Sequence, residues 1–171
     1  LEREKNKGHP LLYSSVDIRE SEYKIASIDT NIFPAGFNNI CQSKSTLIGA
    51  SLKEYFKSNY PEAGHVLLFS EDHTRNTFYL ENIYTLSKLI QKAGLKCTIS
   101  TFFSDHPKVC EDSGFLDLKT YSNKEIRVYC ISHILKNINK FKPDICLLNN
   151  DLSDGKYNNL IELNIPIVPH P

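Results

Sequence analysis

The sequence predicts an α/β fold: a mainly parallel, Rossmann-like sheet flanked by helices, with one β-hairpin inserted. Three observations carry this. The runs at 65–70 (HVLLFS) and 144–149 (DICLLN) are short and almost continuously apolar, as in strands covered on both faces. Between them lie segments whose apolar residues recur at helical spacing. From residue 65 onward the order reads strand, helix, strand, hairpin, helix, strand, helix, strand, which suits parallel strands joined by crossover helices.

Residues 1–12 form a polar lead expected to fray, and 13–171 a single α/β domain. Short alternating stretches at 13–18 and 24–28 predict strands around a charged turn. Residues 29–39 predict a loop, with Pro34 and Gly36 inside it. Ile48, Leu52, Tyr55 and Phe56 give 45–58 one apolar helical face, which Pro61 and Gly64 end. After the 65–70 strand, Tyr79, Leu80, Ile83, Leu86 and Ile90 line the strongest helix, 74–93. Asp72 or Thr74 can cap that helix, and Gly94 suits its exit. A strand follows at 95–101. Stretches 115–121 and 125–131 flank Ser122-Asn123-Lys124 as a hairpin. A shorter helix at 132–141 presents Leu135, Ile138 and Phe141. Strand 144–149, a helix at 154–163 and a last strand at 165–168 complete the order.

Twenty acidic and twenty basic residues leave no net charge, which argues against a general nucleic-acid or anionic-membrane binder. No apolar run approaches the roughly 18 residues of a membrane span, and no secretory signal opens the chain. The chain holds no Met. With its charged opening and proline-rich close, it reads as a piece of a longer protein, lacking residues at both ends. The five cysteines show no CxxC pair, and Cys97, Cys130 and Cys146 sit in strand-like runs. They are expected reduced and buried, with a cytoplasmic location and no zinc site. His9, His65, His106, His133 and His170 are scattered and read as structural or solvent-facing.

Ligands of such folds collect beyond the carboxyl ends of the strands, so the loops there are the places to look for chemistry. The string at 29–39 (DTNIFPAGFNN) packs an acid, a hydroxyl and three amides around a rigid turn. Such groups donate and accept, and so suit a polar zwitterion; as turn formers they also suit a capped surface loop. Asp29 could accept from an ammonium group. The string at 71–76 (EDHTRN) follows a buried strand at a helix start. Free N–H groups and the Arg75 fork would suit a carboxylate there, and ordinary capping is the competing reading. The string at 149–155 (NNDLSDG) is a third polar loop, read equally as a capped turn. Asp17 and Arg19 are expected to form an ion pair. Neither GxGxxG nor GxxxxGK[ST] occurs, so no dinucleotide or P-loop fingerprint supports a cofactor role.

Taken together the strings resemble one family. DTNIFPAGFNN looks like the DTN-[LI]-FP-[AG]-GFNN segment of the proteobacterial, ATP-grasp type of glutamate–cysteine ligase. HTRNTFYLEN and LLNNDLSDG resemble two further segments in the same order, and VDIR and IPIVPHP also fit, so that the likeness covers roughly 13–171. The resemblance implies a cytoplasmic bacterial enzyme of glutathione biosynthesis that joins the γ-carboxyl of L-glutamate to the amine of L-cysteine through an acyl phosphate. It implies ATP and Mg²⁺ as cofactors of the full-length enzyme, held by an ATP-grasp part following residue 171. This chain would be the pre-ATP-grasp, substrate-side domain, inactive alone. Carried onto matching positions, Asp29, Asn31, Asn38, Asn39, Arg75, Asn76 and Asn150 become the expected amino-acid-binding residues, with catalytic residues unassigned. A stand-alone, non-catalytic amino-acid-binding or regulatory module of the same fold is the alternative.

Overall fold

A computed structural model describes residues 11–152 and 158–169. Most of the polar lead, His9 and His170, Ser153 to Gly155 of the third polar string, and the start of the expected 154–163 helix lie outside them.

The chain opens with an antiparallel hairpin of β1 (Ser15–Ser21) and β2 (Lys24–Asn31), exposed along almost its whole length. Asp17 lies opposite Asp29, and Asp17 and Arg19 form no ion pair among the described residues. The strand therefore runs three residues into the expected loop, and only 32–39 turns. One 3-10 turn, Phe37–Asn39, follows Gly36, whose φ of 92° is a left-handed conformation that glycine adopts without strain.

The main sheet has six strands in the order β5-β6-β4-β3-β7-β8. Its strands are β3 (His65–Ser70), β4 (Lys96–Thr101), β5 (Phe115–Lys119), β6 (Glu125–Cys130), β7 (Ile145–Asn149) and β8 (Ile167–Val168). All neighbours are parallel except β5 with β6, which form the expected hairpin. Every residue of β3 and β7 is buried, because helices cover both faces there. On one face Val66, Leu68, Ile99, Ile145 and Leu147 pack against α1 (Ser45–Asn59) and α2 (Thr77–Lys92). On the other, Leu67, Phe69, Cys146 and Leu148 pack against α4 (Ile131–Lys136), α5 (Ile138–Phe141) and the region of α6 (Asn158–Ile161). The result is a three-layer α/β/α sandwich, as the sequence predicts.

Four details depart from expectation. Asn76 caps α2, its Oδ1 accepting from Tyr79 N at 3.1 Å, so the helix starts later than Asp72 or Thr74 would start it. The 132–141 helix breaks at Asn137 (φ −119°, ψ 28°), whose side-chain amide donates to the His133 carbonyl and competes with the helical ladder. A short helix, α3 (Pro107–Glu111), occupies a stretch assigned no element from sequence. It brings Cys110 within 5.4 Å (Cα–Cα) of Cys130, and the two form a disulfide. That corrects the expectation of reduced cysteines throughout; Cys41, Cys97 and Cys146 remain thiols.

At the amino end of the sheet, Asp144 Oδ2 accepts from the backbone N–H of Gly64 and of His65, both at 2.8 Å, and so ties β7 to the start of β3. His65 is buried between the Phe141 carbonyl (3.0 Å) and Thr98 Oγ1 (2.8 Å). Its role is structural, as expected. Among the described residues no helix is long and apolar enough to cross a membrane.

Candidate functional site

The strand order locates the site. From β3 the chain crosses to β4 on one side and later returns to β7 on the other, so the loops leaving β3 and β7 diverge. A doubly wound sheet opens its ligand crevice at such a reversal, beyond the carboxyl ends of the strands. Here the floor of the crevice is the registered pair Ser70 and Asn149.

All three polar strings reach this crevice. Asn149 Nδ2 donates to the Pro34 carbonyl at 2.9 Å and so seats the 32–39 turn on the end of β7. Asn150 Nδ2 donates to the Ser70 carbonyl at 3.0 Å, which Thr101 Oγ1 also reaches at 3.1 Å. The Tyr79 hydroxyl accepts from Glu71 N at 2.9 Å and donates to the Asn149 carbonyl at 3.2 Å. Tyr13 completes the seat, donating to the Leu148 carbonyl at 2.7 Å and packing edge-on against Phe37. Burial pushes the hydroxyl pKa values of Tyr13 and Tyr79 well above the ordinary range, so both stay protonated and act as donors. A hollow of about 220 Å³ lies under the turn, lined by Tyr13, Pro34, Gly36 and Phe37 among others.

The structure distributes the expected residues unevenly. Arg75 and Asn76 stand exposed where the β3 exit enters α2. Arg75 makes no hydrogen bond or ion pair to a described residue, so its whole donor fork faces solvent. Asn76 spends its oxygen on the cap and keeps its N–H₂ donors. Asn150 spends its N–H₂ on Ser70 and keeps its oxygen. Asn31 accepts from Phe33 N at 2.7 Å and stiffens the turn. Asp29, by contrast, lies on the exposed hairpin, with one oxygen taken by Thr30 N. Asn38 and Asn39 bond each other on the 3-10 turn, and Asn38 faces a different cleft. That cleft, about 580 Å³, lies between the 3-10 turn, α2 and the β5–β6 turn, with Glu81, Lys88, Lys92 and Lys124 in its wall.

Several residues at the crevice take roles that sequence reasoning does not assign. Tyr79 reads as core by its spacing, and Tyr13 as part of a strand, yet both work through their hydroxyls. Asp72 accepts from Ser104 N, which ties the exits of β3 and β4 together, and its Oδ1 is buried without a partner among the described residues. His73 pairs with Glu71 at 2.6 Å and sets its ring edge-on to Tyr79. Asn82 holds the 3-10 turn by accepting from Phe37 N at 2.8 Å. The charged run directly after a buried strand marks Asp72 and His73 in the sequence as part of the 71–76 string, but their partners Ser104 and Tyr79 come only with the fold.

Around the crevice, Arg75 presents its donor fork and Asn76 an amide N–H₂, Asn150 presents an amide oxygen, and Glu71 and Asp72 supply carboxylates engaged by His73 and by Ser104 N. Among the described residues no three His, Cys, Asp or Glu groups converge to hold a metal ion.

The fold is a three-layer α/β/α domain whose polar loops gather at the strand-order reversal, the place where open α/β sheets open a ligand crevice. The family model of glutamate-cysteine ligase (GshA) matches residues 1–171, and the chain belongs to that family. It is similar to the crystal structure of a protein named as a gamma-glutamylcysteine synthetase of Methylobacillus flagellatus KT. The TM-score is 0.78 at 30% identity, over 93% of this chain and 37% of that one. This chain thus spans little more than a third of that protein. No curated protein matches the chain.

Proposed function

We propose that this chain is the amino-acid-binding segment of an ATP-dependent glutamate–cysteine ligase of the ATP-grasp type, a cytoplasmic bacterial enzyme of glutathione biosynthesis. In that reaction the γ-carboxylate of L-glutamate attacks the terminal phosphorus of ATP and releases ADP. The amine of L-cysteine then attacks the acyl carbon, and phosphate departs with the electron pair of the broken C–O bond. ATP and Mg²⁺ belong to the part of the longer enzyme outside this chain. The observation that carries the reading is the convergence of three family-like strings on the crevice between β3 and β7. Arg75 receives a substrate carboxylate, with the Asn76 amide beside it. Asn150 offers its oxygen to the ammonium group. Asn31 shapes the turn that closes one side. Asp29, Asn38 and Asn39 stay in the binding set through the family likeness alone.

Calorimetric titration of the chain with L-glutamate and L-cysteine, each separately, tests this. One amino acid binds, and Arg75→Ala abolishes its signal. No amino-acid binding, or amino-acid binding that survives Arg75→Ala, overturns the assignment.

A further inference from the structure

The larger cleft, beside α2, has a different chemistry from the crevice. Its volume of about 580 Å³ falls within the usual range for small-molecule sites. Three ammonium groups line it, those of Lys88, Lys92 and Lys124, against one carboxylate, Glu81. Lys124 lies 4.8 Å and Lys88 5.4 Å from the centroid of the Tyr84 ring, so one aromatic face gathers two cations. Glu81 is already satisfied. It accepts from Lys124 Nζ at 2.8 Å, Ser122 N at 3.0 Å and Ser122 Oγ at 2.7 Å. Burial opposes its ionisation, but these bonds outweigh it and hold its pKa down to about 2. Glu81 therefore neutralises Lys124 and leaves Lys88 and Lys92 without a carboxylate among the described residues.

Donor capacity points the same way. An ammonium carries three N–H groups. Lys88 uses one on Gln91 Oε1 at 3.0 Å, Lys92 one on Ser45 Oγ at 2.8 Å, and Lys124 one on Glu81. Two per lysine remain for a ligand. We infer that this cleft is a second binding site, separate from the crevice, for a phosphorylated small molecule. Lysine ammoniums are compact point charges suited to phosphate oxygens. A free amino acid fits poorly, because its own ammonium would enter a field of like charge.

Inorganic pyrophosphate is the probe, titrated calorimetrically into the full chain at low ionic strength. Saturable one-site binding is expected, weakened at least tenfold in the double variant Lys88→Ala/Lys92→Ala. Both side chains are exposed, and thermal melts check that the variant keeps its fold. A control removes two other exposed lysines, Lys136→Ala/Lys140→Ala, and is expected to bind like the parent. Absence of saturable binding overturns the site. So does an equal loss in both double variants, which marks diffuse charge attraction. Binding of poly-L-glutamate without binding of pyrophosphate also overturns it, in favour of an acidic polypeptide partner. Amino-acid binding and its loss in Arg75→Ala are read separately, so failure of either site leaves the other standing.

Discussion

The Tyr79 hydroxyl donates to the Asn149 carbonyl at 3.2 Å, and one side chain of α2 thereby spans the mouth between β3 and β7. The same oxygen accepts from Glu71 N, so its removal strands a half-buried donor on one strand exit and an acceptor on the other. Tyr79→Phe is expected to cost about 1–3 kcal/mol, the usual penalty for leaving such groups unpaired. Urea unfolding measures it. A loss within error of zero would show that water replaces the hydroxyl and that Tyr79 does not hold the crevice.

Arg75 predicts the opposite pattern. It is exposed and touches no described partner. Arg75→Ala should therefore leave the unfolding free energy within about 0.5 kcal/mol of the parent. A loss well beyond that in the same urea series would make Arg75 a structural residue and remove the reason to assign it to a ligand.

His65 gives stability a pH dependence. Burial, and secondarily the charge of Lys96, push its pKa below the ordinary 6.5. The folded protein resists the proton and the unfolded chain takes it at 6.5. This contribution to stability is therefore complete above pH 6.5. It is lost progressively as pH falls below that value and through the folded pKa. Denaturation midpoints between pH 8 and pH 5 should fall on the acid side, and His65→Gln should flatten the slope. An unchanged slope in the variant would assign the pH dependence to other groups.

Gly114 occupies a position no other residue fits. Its φ is +74°, and a Cβ there would lie 2.0 Å from His133 Nδ1. Gly114→Ala should exceed the roughly 1–2 kcal/mol of a left-handed L-residue, because the His133 ring must also move. A thermal shift of only a degree or two would mean that the α4 end yields easily.

The fold was legible where one physical cue dominated. Continuous burial marks β3 and β7, and the stripe from Leu80 to Ile90 marks α2, because a helix or strand in a layered core has no other use for such spacing. Legibility fails where a distant partner decides. Nothing near Cys130 announces Cys110, twenty residues away across α3. Asn137 breaks its helix through its own side chain, and Asn76 takes the cap from Asp72, which is engaged by Ser104 of another loop. The site divides in the same way. The location of Arg75, Asn76 and Asn150 beside the crevice was readable, because polar loops follow buried strands there. The tyrosines were not, since a tyrosine at a core spacing looks apolar until its hydroxyl is placed. The lysine cleft was equally hidden, for it is assembled from α2 and a hairpin turn over 30 residues further on.

The bonds that seat the crevice join residues very far apart in the chain: Tyr13 to Leu148, Pro34 to Asn149, and Ser70 to Asn150, separated by 135, 115 and 80 positions. Each waits for β7. On a ribosome the N-terminal turn and the central strand β3 emerge long before the strand that completes them, and β3 carries an unpaired edge meanwhile. Closing such long loops before any contact rewards them is slow. The crevice is accordingly among the last parts of the six-strand sheet to assemble, and β3 is the strand most exposed to mispairing during synthesis.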